Sequence, residues 1–212
     1  MHWQPSSRIE TLKKRAQLIQ RIRAFFTSRH YLEVDTPLLS QYTVTDRHID
    51  SIPCQISPTS KPFYLQTSPE YSMKRLLAAN SGPIFQICKA FRQEEIGHQH
   101  HHEFTLLEWY RPGFTHMELM QEVSQLLSTC LGTEAADSLT YHDVFTQELG
   151  ISPHTISTSA LQQAVKQHQL YDSADTLDHD TCLQLLMSEL IEPKLGQQRP
   201  VMIYHYPASQ AA

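Results

Sequence analysis

Apolar residues recur at helical spacing near the start of the chain, which predicts a first helix. It follows Ser7-Arg8-Ile9-Glu10, which has the S-x-x-E spacing of a capping box. The apolar positions are Leu12, Ala16, Ile19, Ile22 and Phe26. We expect this helix to end near Ser28. Residues 31–39 then read as a short strand with Pro37 at its edge or end, because proline cannot donate to a central ladder.

A second helix start and a hairpin are predicted in the middle of the chain. Ser68-Pro69-Glu70 combines an N-cap residue, a proline at the first helical position and an acid in the first turn. Gly82 and Pro83 end this helix. Residues 84–92 and 103–110 then read as two strands joined by a polar loop, which is typical of an antiparallel hairpin.

The second half of the chain is predicted to be mostly helical. Thr115 and Glu118 form another possible capping box, and apolar residues continue at helical spacing as far as Cys130. Further helices are expected at 141–149, 159–169 and 180–191, and a closing strand at 201–206. Strands separated by clustered helices predict an α+β fold with an antiparallel sheet flanked by helices.

The composition excludes several classes of protein. The chain has 212 residues, 40% of them hydrophobic, which is enough for one packed domain or somewhat more. No apolar run approaches the ~18 residues of a membrane helix, and the first residues lack a signal-peptide core. The four cysteines form no CxxC pair. We therefore expect a cytoplasmic protein with no membrane contact and no disulfide framework.

The charge is unevenly distributed along the chain. The net charge of −5 argues against a general nucleic-acid binder. Residues 1–111 hold 14 basic and 10 acidic residues, whereas residues 112–212 hold 3 and 12. A positive first half suits an anionic small substrate or an acidic partner. An ordinary drift of surface charge along the chain explains it equally well.

The strand predicted at 103–110 contains a carboxylate, Glu108, among mostly apolar residues. Phe104, Leu106, Glu108 and Tyr110 share one face, and both faces are apolar enough to be covered. A buried Glu108 is costly unless a cation or hydrogen bonds satisfy it. Arg92 and Glu94 end the preceding strand and share a face with each other.

Two interpretations of these residues remain open at this point. If Arg92 and Glu94 lie on the face of Glu108, the arginine can bind a phosphate, Phe104 can stack on a base, and Glu108 with Tyr110 can hold an ammonium. The alternative is structural: an internal Arg92–Glu108 ion pair among core aromatic residues.

Three segments resemble the motifs of one enzyme class. Phe91-Arg92-Gln93-Glu94 followed by residues 103–110 resembles motif 2 of the class II aminoacyl-tRNA synthetases, in the lysyl branch. Residues 29–37 resemble motif 1, and residues 67–76 resemble the amino-acid-binding segment of that branch. The phrases at 42–46, 108–112 and 204–211 are also similar to the elongation factor P–(R)-β-lysine ligase family.

This resemblance implies a fold and a reaction. Residues 1–212 would form part of a class II catalytic domain, with motif 1 at about 21–39, motif 2 at about 84–110 and a helical insertion at about 112–199. The family activates (R)-β-lysine with ATP, accompanied by Mg²⁺, as an adenylate. It then transfers the β-lysyl group to a lysine ε-amine of elongation factor P. Lysine is the other possible substrate.

The resemblance also implies site residues. Arg92 would be catalytic and grip the α-phosphate. The implied ATP-binding residues are Arg92, Gln93, Glu94, His101 and Phe104. The implied substrate-binding residues are Ser68, Pro69, Glu70, Glu108 and Tyr110. Motif 1 implies a homodimer, for which Phe25, Phe26, Tyr31 and Leu32 would offer apolar surface.

Two departures from the family pattern matter. His101 stands where the family commonly has an asparagine that helps to bind ATP. The run from His98 to His102 holds four histidines in five positions. It can be read as a native metal site, as an adventitious one, or as a mobile substrate loop; we expect no resident metal, because no further ligand is placed to complete a geometry.

The second departure concerns motif 3, whose arginine contacts the triphosphate in the family. We find no counterpart of it in these 212 residues, so we expect this chain by itself to bind ATP weakly and to form no adenylate. A fragment, a truncated gene and a product that lost the reaction all remain open. Two rival functions remain open. One is a lysyl-tRNA synthetase fragment, which is less expected because only about ten residues, and no anticodon-binding barrel, precede the first helix. The other is an inactive binding or dimerisation module.

Overall fold

The computed structural model describes residues 3–46, 49–93 and 100–210. The chain divides into two compact units, residues 1–116 and residues 117–212. Within the described ranges, no helix combines the length and the apolar character that crossing a bilayer demands.

Among its described residues, the first unit contains two helices and six strands. The helices are α1 (Ile9–Thr27) and α2 (Glu70–Ala78). The strands are β1 (Leu32–Glu33), β2 (Leu39–Ser40), β3 (Pro53–Cys54), β4 (Phe63–Leu65), β5 (Ile84–Phe91) and β6 (Glu103–Tyr110). They form two three-stranded sheets, in the orders β1-β5-β6 and β2-β4-β3. The predicted helices and the predicted hairpin are confirmed.

The β1-β5-β6 sheet is mixed. β5 and β6 pair antiparallel over their whole length, but β1 runs parallel to β5. The prediction of an antiparallel sheet is therefore only partly correct. The single strand expected at 31–39 is also wrong: it is split into β1 and β2, which belong to different sheets. Pro37 lies between them, where its missing N–H interrupts a ladder.

The last turns of α1 anchor the helix on this sheet. The ring of Phe26 is fully buried, stacks on Phe85 at 4.7 Å between centroids and lies 5.3 Å from Trp109 of β6. Phe25 and Tyr31 are buried beside it. These three aromatic residues therefore build the core of the unit, and their assignment to a dimer surface is wrong. Of the four residues proposed for that surface, only Leu32 is exposed.

The start of α1 also differs from the prediction. Arg8 is the N-cap residue, and its side chain makes no capping hydrogen bond. The capping box read from Ser7 and Glu10 is therefore wrong. Much of the helix before Phe25 is exposed, so its apolar stripe contributes little to the core of this unit.

Phe26 gives the largest stability prediction for the first unit. Phe26→Ala should lower the free energy of unfolding by about 3–5 kcal/mol, because it removes a buried ring and leaves a cavity. Urea denaturation measures the change. Tyr42→Ala is the matched control, since Tyr42 is 81% exposed and its replacement should cost less than about 0.5 kcal/mol. Equal losses in the two variants would contradict this packing.

Among its described residues, the second unit holds four α-helices, several short helical turns and a two-stranded parallel sheet. The helices are α3 (His116–Leu131), α4 (Tyr141–Leu149), α5 (Thr158–Gln167) and α6 (His179–Leu186). The strands are β7 (Asp137–Thr140) and β8 (Val201–Tyr204), and they pair with each other. After α6, a π-helical turn (Met187–Ile191) and a 3-10 turn (Glu192–Lys194) follow.

The core of the second unit lies between its helices. The residues Tyr141, Phe145, Leu161, Leu183, Leu186 and Ile191 are fully or almost fully buried there. Thr140 and Asp143 form a capping box at the start of α4. The strand β7 is not predicted from the sequence, because its residues Asp137 and Ser138 are poor strand formers and it is held by pairing with a distant segment.

Candidate active site

The two faces of β6 have different surroundings. On one face, the rings of Phe26 and Trp109 are in contact, and Arg15 Nη2 of α1 donates to Thr105 Oγ1 at 2.9 Å. The opposite face carries Phe104, Leu106, Glu108 and Tyr110, and these side chains are half-buried. On the α1 side, Leu107 and Trp109 are half-buried as well and Thr105 is exposed, so the expectation that both faces are covered is met only in part.

The antiparallel register extends the half-buried face onto β5. Gln86 lies opposite Glu108, Cys88 opposite Leu106, and Ala90 opposite Phe104. Opposite residues of an antiparallel pair point to the same side of the sheet. We call this surface the site face; its members are Gln86, Cys88, Ala90, Phe104, Leu106, Glu108 and Tyr110.

One end of the site face carries a carboxylate. The hydroxyl of Tyr110 donates to Glu108 Oε1 at 2.7 Å. Burial raises the pKa of Glu108, while the Tyr110 hydrogen bond acts in the opposite direction. The pKa of Tyr110 is raised by burial and by the hydrogen bond to Glu108. A carboxylate in this setting is stabilised by the arrival of a cation.

The start of α2 brings a second carboxylate near the first. Pro69, rather than Ser68, occupies the N-cap position, and Ser68 Oγ accepts from the backbone N–H of Glu70 at 3.3 Å. The carboxylate of Glu70 forms an ion pair with Lys74 one helical turn later. Its negative charge also raises the pKa of Glu108. Glu70 and Glu108 are thus electrostatically coupled.

The other end of the site face carries a cation and an aromatic ring. The guanidinium carbon of Arg92 lies 5.2 Å from the centre of the Phe104 ring. Two hydrogen bonds join Arg92 and His102, both at 3.0 Å: the backbone N–H of Arg92 donates to the His102 carbonyl, and the side-chain Nδ1–H of His102 donates to the Arg92 carbonyl. These bonds close the end of the hairpin and fix the position of Arg92.

The remaining ATP-binding candidates are less well defined. Gln93 is exposed and donates its backbone N–H to the Asp50 carbonyl at 3.0 Å. His101 is exposed, and its Nδ1 accepts from the backbone N–H of Glu103 at 3.3 Å. Glu94 and His98 lie outside the described residues. Within the described part of the chain, no three His, Cys, Asp or Glu side chains are grouped to hold a metal ion.

The two ends of the site face are well separated. Phe104 and Glu108 are four residues apart on one strand, which corresponds to about 13–14 Å. The guanidinium of Arg92 lies at the Phe104 end, whereas Glu108 is hydrogen-bonded to Tyr110 at the other. This arrangement supports the functional interpretation over an Arg92–Glu108 ion pair. An extended ligand with an anionic and a cationic end matches the face.

The structure adds residues that the sequence analysis did not single out. Lys74 pairs with Glu70, and this Glu–Lys spacing of four on a helix was readable from the sequence. Gln86 is buried on the site face. It lies on the same side of β5 as Cys88, Ala90 and Arg92, which follow it at every second position. Its position follows from the period-two alternation of a strand, which could have identified it.

The chain is similar in sequence to a known enzyme family and to several curated proteins. The family model "tRNA synthetases class II (D, K and N)" matches residues 1–212. A curated protein of Haemophilus influenzae (strain PittGG), named elongation factor P--(R)-beta-lysine ligase, is 49% identical over 215 residues. Proteins of the same name from Pasteurella multocida (strain Pm70) and Sodalis glossinidius (strain morsitans) are 49% and 48% identical. The chain spans about 66% of the length of these relatives.

Proposed function

The chain belongs to the class II tRNA synthetases of the D, K and N group, and on that premise we propose that its site face activates a diamino acid with ATP. The amino acid is (R)-β-lysine or lysine, and the product of the first step is an aminoacyl adenylate. The observation that carries the proposal is the separation of Arg92 with Phe104 at one end of the face from Glu108 with Tyr110 at the other. Each end suits one part of an adenylate.

Each residue of the site has a separate role in the first step. Phe104 stacks on the adenine, and Arg92 binds the α-phosphate through its planar guanidinium. Glu108 and Tyr110 hold the distal ammonium, and Glu70 receives the other amino group after releasing Lys74. A carboxylate oxygen of the amino acid attacks the α-phosphorus, and pyrophosphate leaves. Arg92 stabilises the negative charge that develops on the phosphate oxygens.

The second step transfers the activated group to a protein. The relatives are named for ligation of (R)-β-lysine to elongation factor P. We propose the same acceptor here: a lysine ε-amine of elongation factor P attacks the adenylate carbonyl, an amide bond forms, AMP leaves and a proton is released. Mg²⁺ accompanies the ATP, and we assign no residue to it.

ATP–pyrophosphate exchange tests the activation step. The assay compares (R)-β-lysine, lysine, leucine and methionine with the 212-residue chain, and with the same chain joined to the segment of a relative that lies outside the match. Exchange that depends on (R)-β-lysine or lysine in either protein supports the proposal. Its absence from both would reject activation and favour a binding or dimerisation module. Transfer to tRNA rather than to elongation factor P would favour a lysyl-tRNA synthetase.

We also propose that the chain forms a homodimer through the exposed part of α1 and through β1. Leu12 and Leu32 are 46% and 56% exposed, which is high for large apolar side chains. Light scattering at tens of micromolar should show a dimer, and Leu12→Glu with Leu32→Glu should shift the chain to a monomer. Leu131→Glu is the control, because Leu131 is 62% exposed and lies in the second unit. A monomer before any substitution would reject the proposal.

A further inference from the structure

Gln86 is a polar side chain buried in the middle of β5. Only 1% of it is exposed, although it lies on the site face between half-buried residues. Thr36 Oγ1 donates to Gln86 Oε1 at 3.0 Å, and Thr36 is itself buried. This hydrogen bond places the amide oxygen of Gln86 toward Thr36, so that its –NH₂ group lies on the other side.

The other end of the amide is a donor that this structure leaves unused. Gln86 Nε2 is fully buried and has no hydrogen bond among the described residues. The nearest group along the same face is the thiol of Cys88, whose pKa Gln86 lowers. Sulfur is a weak acceptor, however, and this one already receives Gln66 Nε2 at 3.4 Å. A buried donor without a partner costs about 1–3 kcal/mol. Such a group requires an explanation.

The register supplies a partner for this donor. Gln86 is directly opposite Glu108, and the Cβ atoms of opposite residues lie about 4.5–5.5 Å apart. A carboxylate on one and a primary amide on the other are therefore within hydrogen-bonding reach after a side-chain rotation. In this structure, Glu108 Oε1 is held by Tyr110 instead.

We propose that Gln86 is a positioning residue for the bound diamino acid. When the distal ammonium enters, Glu108 rotates about its side-chain bonds, accepts the N–H of Gln86 and presents its charge to the ammonium. Thr36 holds the amide in the orientation that this requires. The inference deepens the proposed function and rests on it, because it assigns the residue that makes Glu108 specific for a cationic side chain.

Other charged and titratable groups face Glu108 and bear on its ionisation. They are Glu70 and Lys74 from α2, Tyr110 on its own strand, and Cys88 on β5, whose pKa burial raises. A substitution at Gln86 leaves Glu70, Lys74 and Tyr110 in place. It removes an interaction that lowers the pKa of Cys88, but burial keeps that pKa raised above its ordinary value, well above the range in which a carboxyl group titrates. A change in the pH dependence of lysine binding after such a substitution therefore reports on the link between Gln86 and Glu108.

Calorimetric titration of the 212-residue chain with lysine tests the proposal. Gln86→Met keeps the length of the side chain but cannot donate, and lysine affinity should fall about 10- to 100-fold, as for loss of a hydrogen bond to a charged group. The pH at which lysine binding is half-lost should move upward. Gln86→Glu, which keeps the acceptor for Thr36, should shift this pH upward as well. Thr36→Val should give a smaller loss, because the donor remains.

The outcomes separate this inference from the proposed function. If Gln86→Met and Gln86→Glu lower only the unfolding temperature, with lysine affinity and its pH dependence unchanged, Gln86 is structural and the inference is wrong. If Gln86→Met does not fold, Gln86→Glu decides by the same two measurements. If the unaltered chain binds neither lysine nor (R)-β-lysine, the proposed function fails, and the inference fails with it.

Discussion

Replacing Arg92 by alanine should lower the rate of ATP–pyrophosphate exchange by about 10²- to 10³-fold. Loss of one preorganised group that stabilises developing charge typically has an effect of this size. The hairpin holds Arg92 beside Phe104, so its guanidinium is placed before the nucleotide arrives. The measurement uses whichever protein supports exchange, the 212-residue chain or its joined form.

Two further variants separate the role of Arg92 from its charge alone. Arg92→Lys should recover only part of the rate, because an ammonium cannot bind a phosphate with two parallel hydrogen bonds. Arg15→Ala is the control, since Arg15 contacts Thr105 on the opposite face of β6. An Arg92→Ala protein that keeps the full exchange rate would remove Arg92 from the mechanism.

Replacing Glu108 by glutamine should weaken lysine binding by roughly 2–4 kcal/mol, because a partly buried ammonium loses its charged partner. This corresponds to a loss of about 30- to 1,000-fold in affinity. ATP binding should change little, because the Phe104 end of the face is untouched. Calorimetry with each ligand measures both effects.

Glu108→Gln should also change how lysine affinity depends on pH. Burial raises the pKa of Glu108, so its carboxylate takes up a proton at a higher pH than an ordinary glutamate does. Lysine binding requires the ionised form, so affinity should fall as the pH drops through this raised pKa. Glu108→Gln should lose this part of the pH dependence.

Glu103→Gln is the matched control for Glu108. Glu103 is on the same strand, exposed and paired with Lys89 at 2.6 Å, on the face opposite the site. Its replacement should leave lysine affinity within about twofold, as for a surface ion pair. Unchanged lysine binding in Glu108→Gln, or an equal loss in both variants, would refute the assignment of Glu108.

The sequence predicted the long elements well because their signals are local. α1, α2 and the β5–β6 hairpin carry helical or period-two apolar patterns over eight residues or more. The strands β2, β3 and β4 have two or three residues each and are defined by pairing with distant segments. Such pairing leaves no periodic pattern in the sequence, so β3 and β4 were not predicted, and β2 was joined with β1 into one predicted strand.

Burial was harder to predict than secondary structure. The sequence predicts Phe25 and Phe26 as surface for a second copy of the chain, but both are buried. Phe26 packs on Phe85 and Trp109, which lie about 60 and 80 residues further along the sequence, and Phe25 packs on Phe26. The spacing of apolar residues identifies a stripe on a helix but not what covers it. The exposed part of that stripe is revealed only by the three-dimensional packing.

The sequence predicts which residues share the candidate site, but it does not predict the side-chain contacts between them. The shared face of Phe104, Glu108 and Tyr110 follows from strand alternation, and their joining with Gln86 follows from the hairpin register. The Glu70–Lys74 ion pair and the bond between Thr36 and Gln86 depend on side-chain orientation. Alternation and spacing do not specify these rotamers.

The central claim is that this face holds a diamino acid by its distal amine. Calorimetric titration of the 212-residue chain with (R)-β-lysine, lysine and norleucine tests it most directly, because norleucine keeps the carbon chain of lysine and lacks the ε-amine. We expect both diamino acids to bind at least about tenfold more tightly than norleucine, since Glu108 would otherwise remain unpaired. Equal binding of norleucine and lysine would contradict the account.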